Sequence, residues 1–364
     1  MIPLFKVNMT KDPTLIQSLN KILQSGYIGE GEEVVKFEKD LRYVLECEPT
    51  PIAVNSCTSA IFLALLSLGV GPGDEVITTP LTCTATNVSI ILLGARPVWA
   101  DVEPDTGNIE AMSLGSRITP RTKAIIAVDW TGRPCNYDLL RAYGLPVIQD
   151  AAHGPRYDKW NCGDVTCLSF GPIKHLTSGD GGAIIVNRIK HFWPDTLRRL
   201  RWYGLDRTSS KNFRCEQNIS QVGGKFHMNN INASIGRSNL PELKETIIAH
   251  QMNAFELHEG IQNPLVEVCS FSFVSNFWVF PIRLPSEGER DYFQKYMSDH
   301  GIEASRVHAR NDKHTGMNYP GRPTPGLDEF DKRQINLPCG PWVTKNDLQH
   351  IISTVNSYKG IVND

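Results

Sequence analysis

Ser169-Phe170-Gly171-Pro172-Ile173-Lys174-His175, running on to Gly179-Asp180-Gly181-Gly182, lies between two apolar runs. These are Val165-Thr166-Cys167-Leu168 and Ala183-Ile184-Ile185-Val186. Runs this apolar read as strands buried on both faces. The connection between them leaves little room for a crossover helix, which takes about ten to twelve residues. The strand near Ala183 is therefore expected to run antiparallel to its neighbour, with Lys174 in a loop.

Further apolar runs precede it: Ile52-Ala53-Val54, Glu75-Val76-Ile77-Thr78, Pro97-Val98-Trp99-Ala100-Asp101-Val102, Ala124-Ile125-Ile126-Ala127-Val128 and Val147-Ile148-Gln149. Helical segments alternate with several of them, such as 59–68, closed by Gly69. That alternation predicts an α/β fold with a mostly parallel, mixed sheet covered on both sides. Residues 206–221 read as an irregular polar loop. The second half turns mixed. A helix is expected over 241–260 with Pro241 near its start, then strands at 266–268 and 277–282 and a helix over about 288–300. Thr344-Lys345-Asn346-Asp347 carries a capping signature for a last helix. We therefore expect a large domain over 1–240 and a smaller α+β domain over 241–364, with residues 1–20 as candidates to pack on the latter.

With 364 residues, 41% hydrophobic and 21% charged, the chain has the composition of a soluble globular protein. A net charge of -2 gives no broad attraction to nucleic acid or to an anionic membrane. The run Arg198-Arg199-Leu200-Arg201 is expected to be a solvated helix face. Met1-Ile2-Pro3-Leu4-Phe5-Lys6 lacks the pattern of a signal peptide, and no apolar run approaches the roughly 18 residues of a membrane span. Nine scattered cysteines suit reduced thiols in the cytoplasm better than a disulfide framework. No paired Cys-x-x-Cys spacing suggests a metal site.

Ligands of open α/β sheets sit beyond the carboxyl ends of the strands. Three segments bring polar groups there. Asn55-Ser56-Cys57-Thr58-Ser59-Ala60 opens a helix whose amides, with the hydroxyls of Thr58 and Ser59, suit a phosphate; an ordinary helix cap is the alternative. Ser169 could serve the same anion. Asp150 closes an apolar strand, where a carboxylate is costly unless paired; a protonated pyridine nitrogen or an arginine would pair it. His153 follows three residues on, placed to pack on a ring or donate to its oxygen. Lys174 completes the set. A lysine that attacks a carbonyl must spend time neutral, which a partly desolvated pocket promotes. Lysine and aspartate at one sheet edge match the needs of pyridoxal 5'-phosphate, a Schiff base and a charged partner for the ring nitrogen.

These segments resemble the DegT/DnrJ/EryC1/StrS family of sugar aminotransferases, within fold-type I (aspartate-aminotransferase-like) pyridoxal phosphate enzymes. The resemblance rests on Asn55 to Ile61, Thr79-Pro80-Leu81-Thr82-Cys83-Thr84-Ala85-Thr86, Asp150-Ala151-Ala152-His153 and Ser169 to Gly182, with Ser25 to Gly29, Gly204 to Arg207 and Gly224 to Asn230 in support. It covers about residues 1–245. It implies a seven-stranded mixed sheet, and Lys174 as the lysine of an internal aldimine, cycling with pyridoxamine phosphate. Asp150 falls on the ring nitrogen, His153 on the ring oxygen, and Thr58, Ser59 and Ser169 on the phosphate. It also implies a homodimer with shared active sites, in which Lys225 or His227 lies near the neighbour's cofactor. The implied reaction moves an amino group from glutamate to a nucleotide-linked keto-deoxy sugar.

Two features depart from the family. Cys83 occupies the place of an aromatic residue on the exposed cofactor face, where a thiol cannot stack. The basic stretch 301–314 differs from that of common relatives; Arg306, His308 and Arg310 in it would suit a phosphate or diphosphate of the substrate. Amination of a small phosphorylated ketone therefore stays open. A pyridoxamine-dependent dehydratase, with histidine in place of the lysine, is a further alternative, although the register sets Lys174 rather than His175 at that position. A non-catalytic regulator keeping the pocket is another. A nicotinamide site is not supported, because Gly69-Val70-Gly71-Pro72-Gly73 precedes a strand rather than linking strand to helix.

Overall fold

The computed structural model describes residues 1–155, 162–209, 212–317 and 319–361. Among these, seven strands form one sheet: β1 (Ile52–Val54), β2 (Glu75–Thr78), β3 (Arg96–Trp99), β4 (Thr122–Val128), β5 (Val147–Ala151), β6 (Val165–Ser169) and β7 (Gly182–Val186). Their order is β1-β7-β6-β5-β4-β2-β3. The pairs from β3 to β6 are parallel. Only β7 is reversed, antiparallel to both β6 and β1, as the short 170–182 connection demands.

Side chains alternate across β1 and β7 because successive residues of a strand face opposite ways. Ile52, Val54, Ile184 and Val186 enter the core on one face, with Leu63 and Leu200. Ala53, Ala183 and Ile185 enter the other, with Phe37 and Leu41. Both faces are dry, which is why these strands read as continuous apolar runs.

A second sheet of β8 (Glu267–Val268), β9 (Phe280–Arg283) and β10 (Gln334–Leu337) is antiparallel, in the order β10-β9-β8. Phe280, Ile282, Ile335 and Leu337 share a separate core with Phe293, Met297 and Ile351 from the helices Glu287–Asp299 and Lys345–Ser357. Thr344 caps the last helix through a full capping box with Asp347. The start of the chain joins this unit: the Ile2 N–H donates to Gly301 O at 2.7 Å, and Trp342 Nε1 to Pro3 O at 2.9 Å.

Four local expectations change. The helix expected at 59–68 starts at Cys57, because Ser56 accepts from the Ser59 N–H and serves as its N-cap. Residues 240–242 form a tight turn of 3-10 helix before the helix Leu243–Gly260. The strand expected from 277 begins at Phe280, because Phe277 holds a positive φ of 46°. In the loop expected over 206–221, residues 210 and 211 lie outside the described residues, and Phe213–Glu216 forms one helical turn.

Of the run 198–201, Arg199 is exposed as a solvated face would be, but Arg198 and Arg201 are not free in solvent. Arg201 is buried and donates to Glu38 at 2.7 Å and Glu30 at 2.6 Å, while Arg198 reaches Glu38 at 2.8 Å. The carboxylates come from about 160 residues earlier, so a local reading of charge could not see them.

Candidate active site

Six strands of the large sheet end at one edge, and of these β1, β4, β5 and β6 lie beside the site; β7 begins there. Register fixes the arrangement. Asp150 pairs with Val128 and Cys167, and Ser169 with Gly182, which also pairs with Val54. Gly182 lies hard against the helix start. A Cβ there would stand 2.6 Å from Ser56 C and 2.7 Å from Cys57 N, with Leu168 O also at 2.6 Å. Only glycine lets the sheet and the helix Cys57–Ser67 meet so closely.

Asp150 is buried at the end of β5. Its Oδ2 accepts from Thr86 Oγ1 at 2.7 Å; its Oδ1 accepts from the Ala152 N–H at 3.0 Å and from Cys57 Sγ at 3.8 Å. Burial raises its pKa, while these donors and Lys174 oppose the shift. Burial pushes the Cys57 thiol far above its usual range, so it stays a donor. The support extends outward. Thr82 Oγ1 lies 2.8 Å from Thr86 Oγ1, and Asn311 Nδ2 donates to Thr82 O at 2.8 Å. Asn87 Nδ2 in turn donates to Asn311 Oδ1, also at 2.8 Å. Asn311, from the second half of the chain, thus locks the polar 301–314 stretch onto the turn that steadies Asp150.

Lys174 sits in the loop between β6 and β7, its N–H donating to Gly171 O. Burial lowers its pKa to about 8, partly opposed by Asp150, Cys57 and Cys83. Its Nζ lies 3.7 Å from the ring centroid of Trp278. Trp278 also stacks on His153, with ring centroids 4.1 Å apart and planes 18° from parallel. His308 lies near-parallel to His153 at 5.8 Å. Burial first, then Lys174, holds His153 far below the usual imidazole range and His308 at about 4. Both rings are neutral near pH 7, and His153 Nδ1 and His308 Nε2 are buried without a hydrogen-bond partner.

The remaining expected residues divide. Thr58 is half-buried and Ser59 buried in the first turn of the helix. The Ser59 hydroxyl lies 2.9 Å from that of Ser56. Ser169 Oγ accepts from the Gly171 N–H at 3.4 Å. Cys83 is half-buried and directly precedes the helix Thr84–Leu92. Lys225 and His227 lie in a segment that lines the open edge of β1. There the Asn55 N–H donates to Phe226 O, and His227 packs edge-on against Trp202 at 4.2 Å.

Arg306 is half-exposed and lies 3.7 Å from Asp331. Arg310 departs from expectation: it is buried, and its guanidinium is engaged by Asp312 and Asp328. An arginine already neutralised by two carboxylates has no open face for a phosphate. Trp278, Thr86, Cys57 and Asn311 were not singled out from sequence. Among the described residues, no group of three or more His, Cys, Asp or Glu is arranged to hold a metal ion. No helix among them is long and apolar enough to cross a membrane.

Comparison with known proteins gives the same picture across the whole chain. Residues 10–356 match the model of the DegT/DnrJ/EryC1/StrS aminotransferase family. The spore coat polysaccharide biosynthesis protein SpsC of Bacillus subtilis is 31% identical over 369 residues, covering 93% of each chain. Among solved structures, AtS13 from Actinomadura melliaura superposes with a TM-score of 0.89 at 34% identity, over 99% of each chain. The sugar aminotransferase CalS13 from Micromonospora echinospora gives 0.88 at 31% identity, over 98% of this chain and 100% of that one. The chain belongs to the DegT/DnrJ/EryC1/StrS aminotransferase family, a family of pyridoxal phosphate-dependent transferases.

Proposed function

We propose that this family member moves an amino group from glutamate to a nucleotide-linked keto-deoxy sugar, with Lys174 and Asp150 as its central residues. The single observation that carries the reading is the pairing of those two groups at one sheet edge. A lysine whose pKa has fallen to about 8 stands there with a buried carboxylate that lacks a full counter-charge.

The residues present fit pyridoxal phosphate. Asp150 offers a buried carboxylate to a ring nitrogen, and the partnerless Nδ1 of His153 offers a polar contact beside it. Thr58, Ser59, Ser169 and the first amides of the helix Cys57–Ser67 suit the phosphate. When bound, the cofactor supplies an electron sink for chemistry at the donor α-carbon. Asp150 would hold a proton on the ring nitrogen through its charge, which the hydrogen bonds from Thr86 and the Ala152 N–H favour. Lys174 Nζ, its pKa lowered to about 8 by burial, would take and return the substrate proton. His153, neutral and stacked on Trp278, would orient the ring without adding charge.

The sugar acceptor is supported by the likeness to CalS13 and SpsC, and Arg306 and His308 are the residues proposed to meet its phosphate. Homodimerisation, with Lys225 or His227 serving the neighbour, a cytoplasmic setting, and a domain division near residue 240 belong to the same proposal. A panel of nucleotide-linked keto sugars assayed with glutamate tests it. Turnover of at least one such sugar is expected, well above that of a small phosphorylated ketone. Preference for the ketone, or glutamate-independent loss of water from the sugar, would contradict it.

A further inference from the structure

We infer that Trp278 is a positioning residue for Lys174 and His153: its indole receives the lysine Nζ whenever no bond to cofactor restrains it, and orients the imidazole beside it. This rests on the reading of Lys174 as the reactive lysine.

Trp278 is held at several points. Its backbone N–H donates to Thr131 O at 2.8 Å, and Nε1 donates to Ile173 O at 2.8 Å, on the residue before Lys174. Phe5 stacks on the indole at 4.6 Å, and His153 at 4.1 Å. The side chain thus ties the second half of the chain to the lysine loop, to the end of β5 and to the N-terminal segment at once. His175 adds a parallel tie, its Nε2 lying 3.1 Å from Asn276 O.

Backbone strain concentrates around this cluster. Five described non-glycine residues hold positive φ, and three of them adjoin its rings. Thr131 (56°) follows Trp130, whose ring packs edge-on against His153 at 5.6 Å, Phe277 (46°) precedes Trp278, and Val307 (72°) precedes His308. For Val307 the His308 N–H closes onto Arg306 O at 2.9 Å, a tight three-residue turn. Such conformations cost about 1–3 kcal/mol each and persist where the surroundings over-determine them. Three of them placing three rings mark a constellation built for position.

The indole has a chemical consequence for the lysine. An ammonium over an indole face is attracted by the ring quadrupole. Charged and titratable groups facing Lys174 are Asp150 from β5, Cys57 from the helix start, Cys83, and the imidazoles of His153, His175 and His308. Asp150 is the carboxylate in that set, and it is needed for the cofactor. Trp278 therefore offers the lysine a seat that does not compete with the ring nitrogen for Asp150.

The test is the titration of Lys174 in the full-length, cofactor-free chain, read by mass spectrometry as the pH dependence of its acetylation. Trp278→Leu is expected to lower the apparent pKa of Lys174 by about one unit, because the ring that favours the ammonium is gone. Trp278→Phe should give a smaller drop. Fluorinated tryptophan at position 278 keeps shape and hydrogen bond while weakening the ring face, so it decides the matter even if Trp278→Leu fails to fold; a graded downward shift is expected. An unchanged titration in the fluorinated and Leu variants would overturn the inference, as would equal drops in Phe and Leu, which would assign the effect to the Nε1 contact. Because the readout needs no cofactor, it can fail while cofactor capture by the wild type succeeds, and the reverse.

Discussion

Lys174→Ala is expected to reduce the glutamate half-reaction by about 10³-fold or more while leaving the thermal unfolding of the cofactor-free protein almost unchanged. A positioned acid–base group contributes roughly 10²–10⁴-fold, and loss of the covalent hold on the cofactor adds to this. The fold should tolerate the change, since Lys174 is half-buried and makes no ion pair among the described contacts; its Nζ meets the Trp278 ring. A small primary amine supplied in solution should restore part of the rate, because the missing group is a base and not a structural prop. The pH dependence follows from the same lysine. Its folded pKa has fallen to about 8 through burial, so the neutral amine dominates above that pH. Cofactor capture by the wild type should slow by about tenfold per unit below pH 8 and level off above it. Stopped-flow absorbance measures both; a variant retaining the wild-type rate would remove Lys174 from the chemistry.

Asp150→Asn carries the second large effect, and its sign differs between the loaded and empty protein. Asparagine keeps the shape but loses the charge that would pair with a ring nitrogen. Breaking a buried charge pair costs about 3–5 kcal/mol, which corresponds to roughly 10²- to 4 × 10³-fold weaker cofactor binding. In the empty protein the charge is a burden. Burial raises the Asp150 pKa above its unfolded value, so ionising it in the folded state opposes folding as pH rises past the unfolded value. The variant should therefore unfold at the same temperature or higher without cofactor, and lose most of the stabilisation that added cofactor gives the wild type. Calorimetry with and without pyridoxal phosphate reads both arms. Equal cofactor stabilisation of variant and wild type would rule out a charge role for Asp150.

The part of this site legible in the sequence is the part written locally. Asp150 closes an apolar strand, and Lys174 stands in a connection too short for a helix, so both strand ends and both side chains could be placed from spacing. The reversed β7 followed from the same short connection. What escaped is set by contacts distant in sequence. Trp278 reaches Ile173 across 105 residues, and Asn311 reaches Thr82 across 229; neither carries a motif. Thr86 was quoted within a longer resemblance, but its bond to Asp150 depends on a helix start laid across the sheet edge. The two misread basic segments share one cause. Arg201 reads as solvated and Arg310 as a phosphate ligand until Glu30, Glu38, Asp312 and Asp328 fold against them. A run of arginines shows its charge in sequence but not its partners.

The central claim is that one lysine, Lys174, holds the cofactor. Borohydride reduction of the full chain loaded with pyridoxal phosphate, followed by peptide mass mapping, tests it most directly. A phosphopyridoxyl group on Lys174 alone is predicted, with labelling suppressed when glutamate is added before the reductant. Labelling of a different lysine, or none in a protein that binds the cofactor, would contradict it.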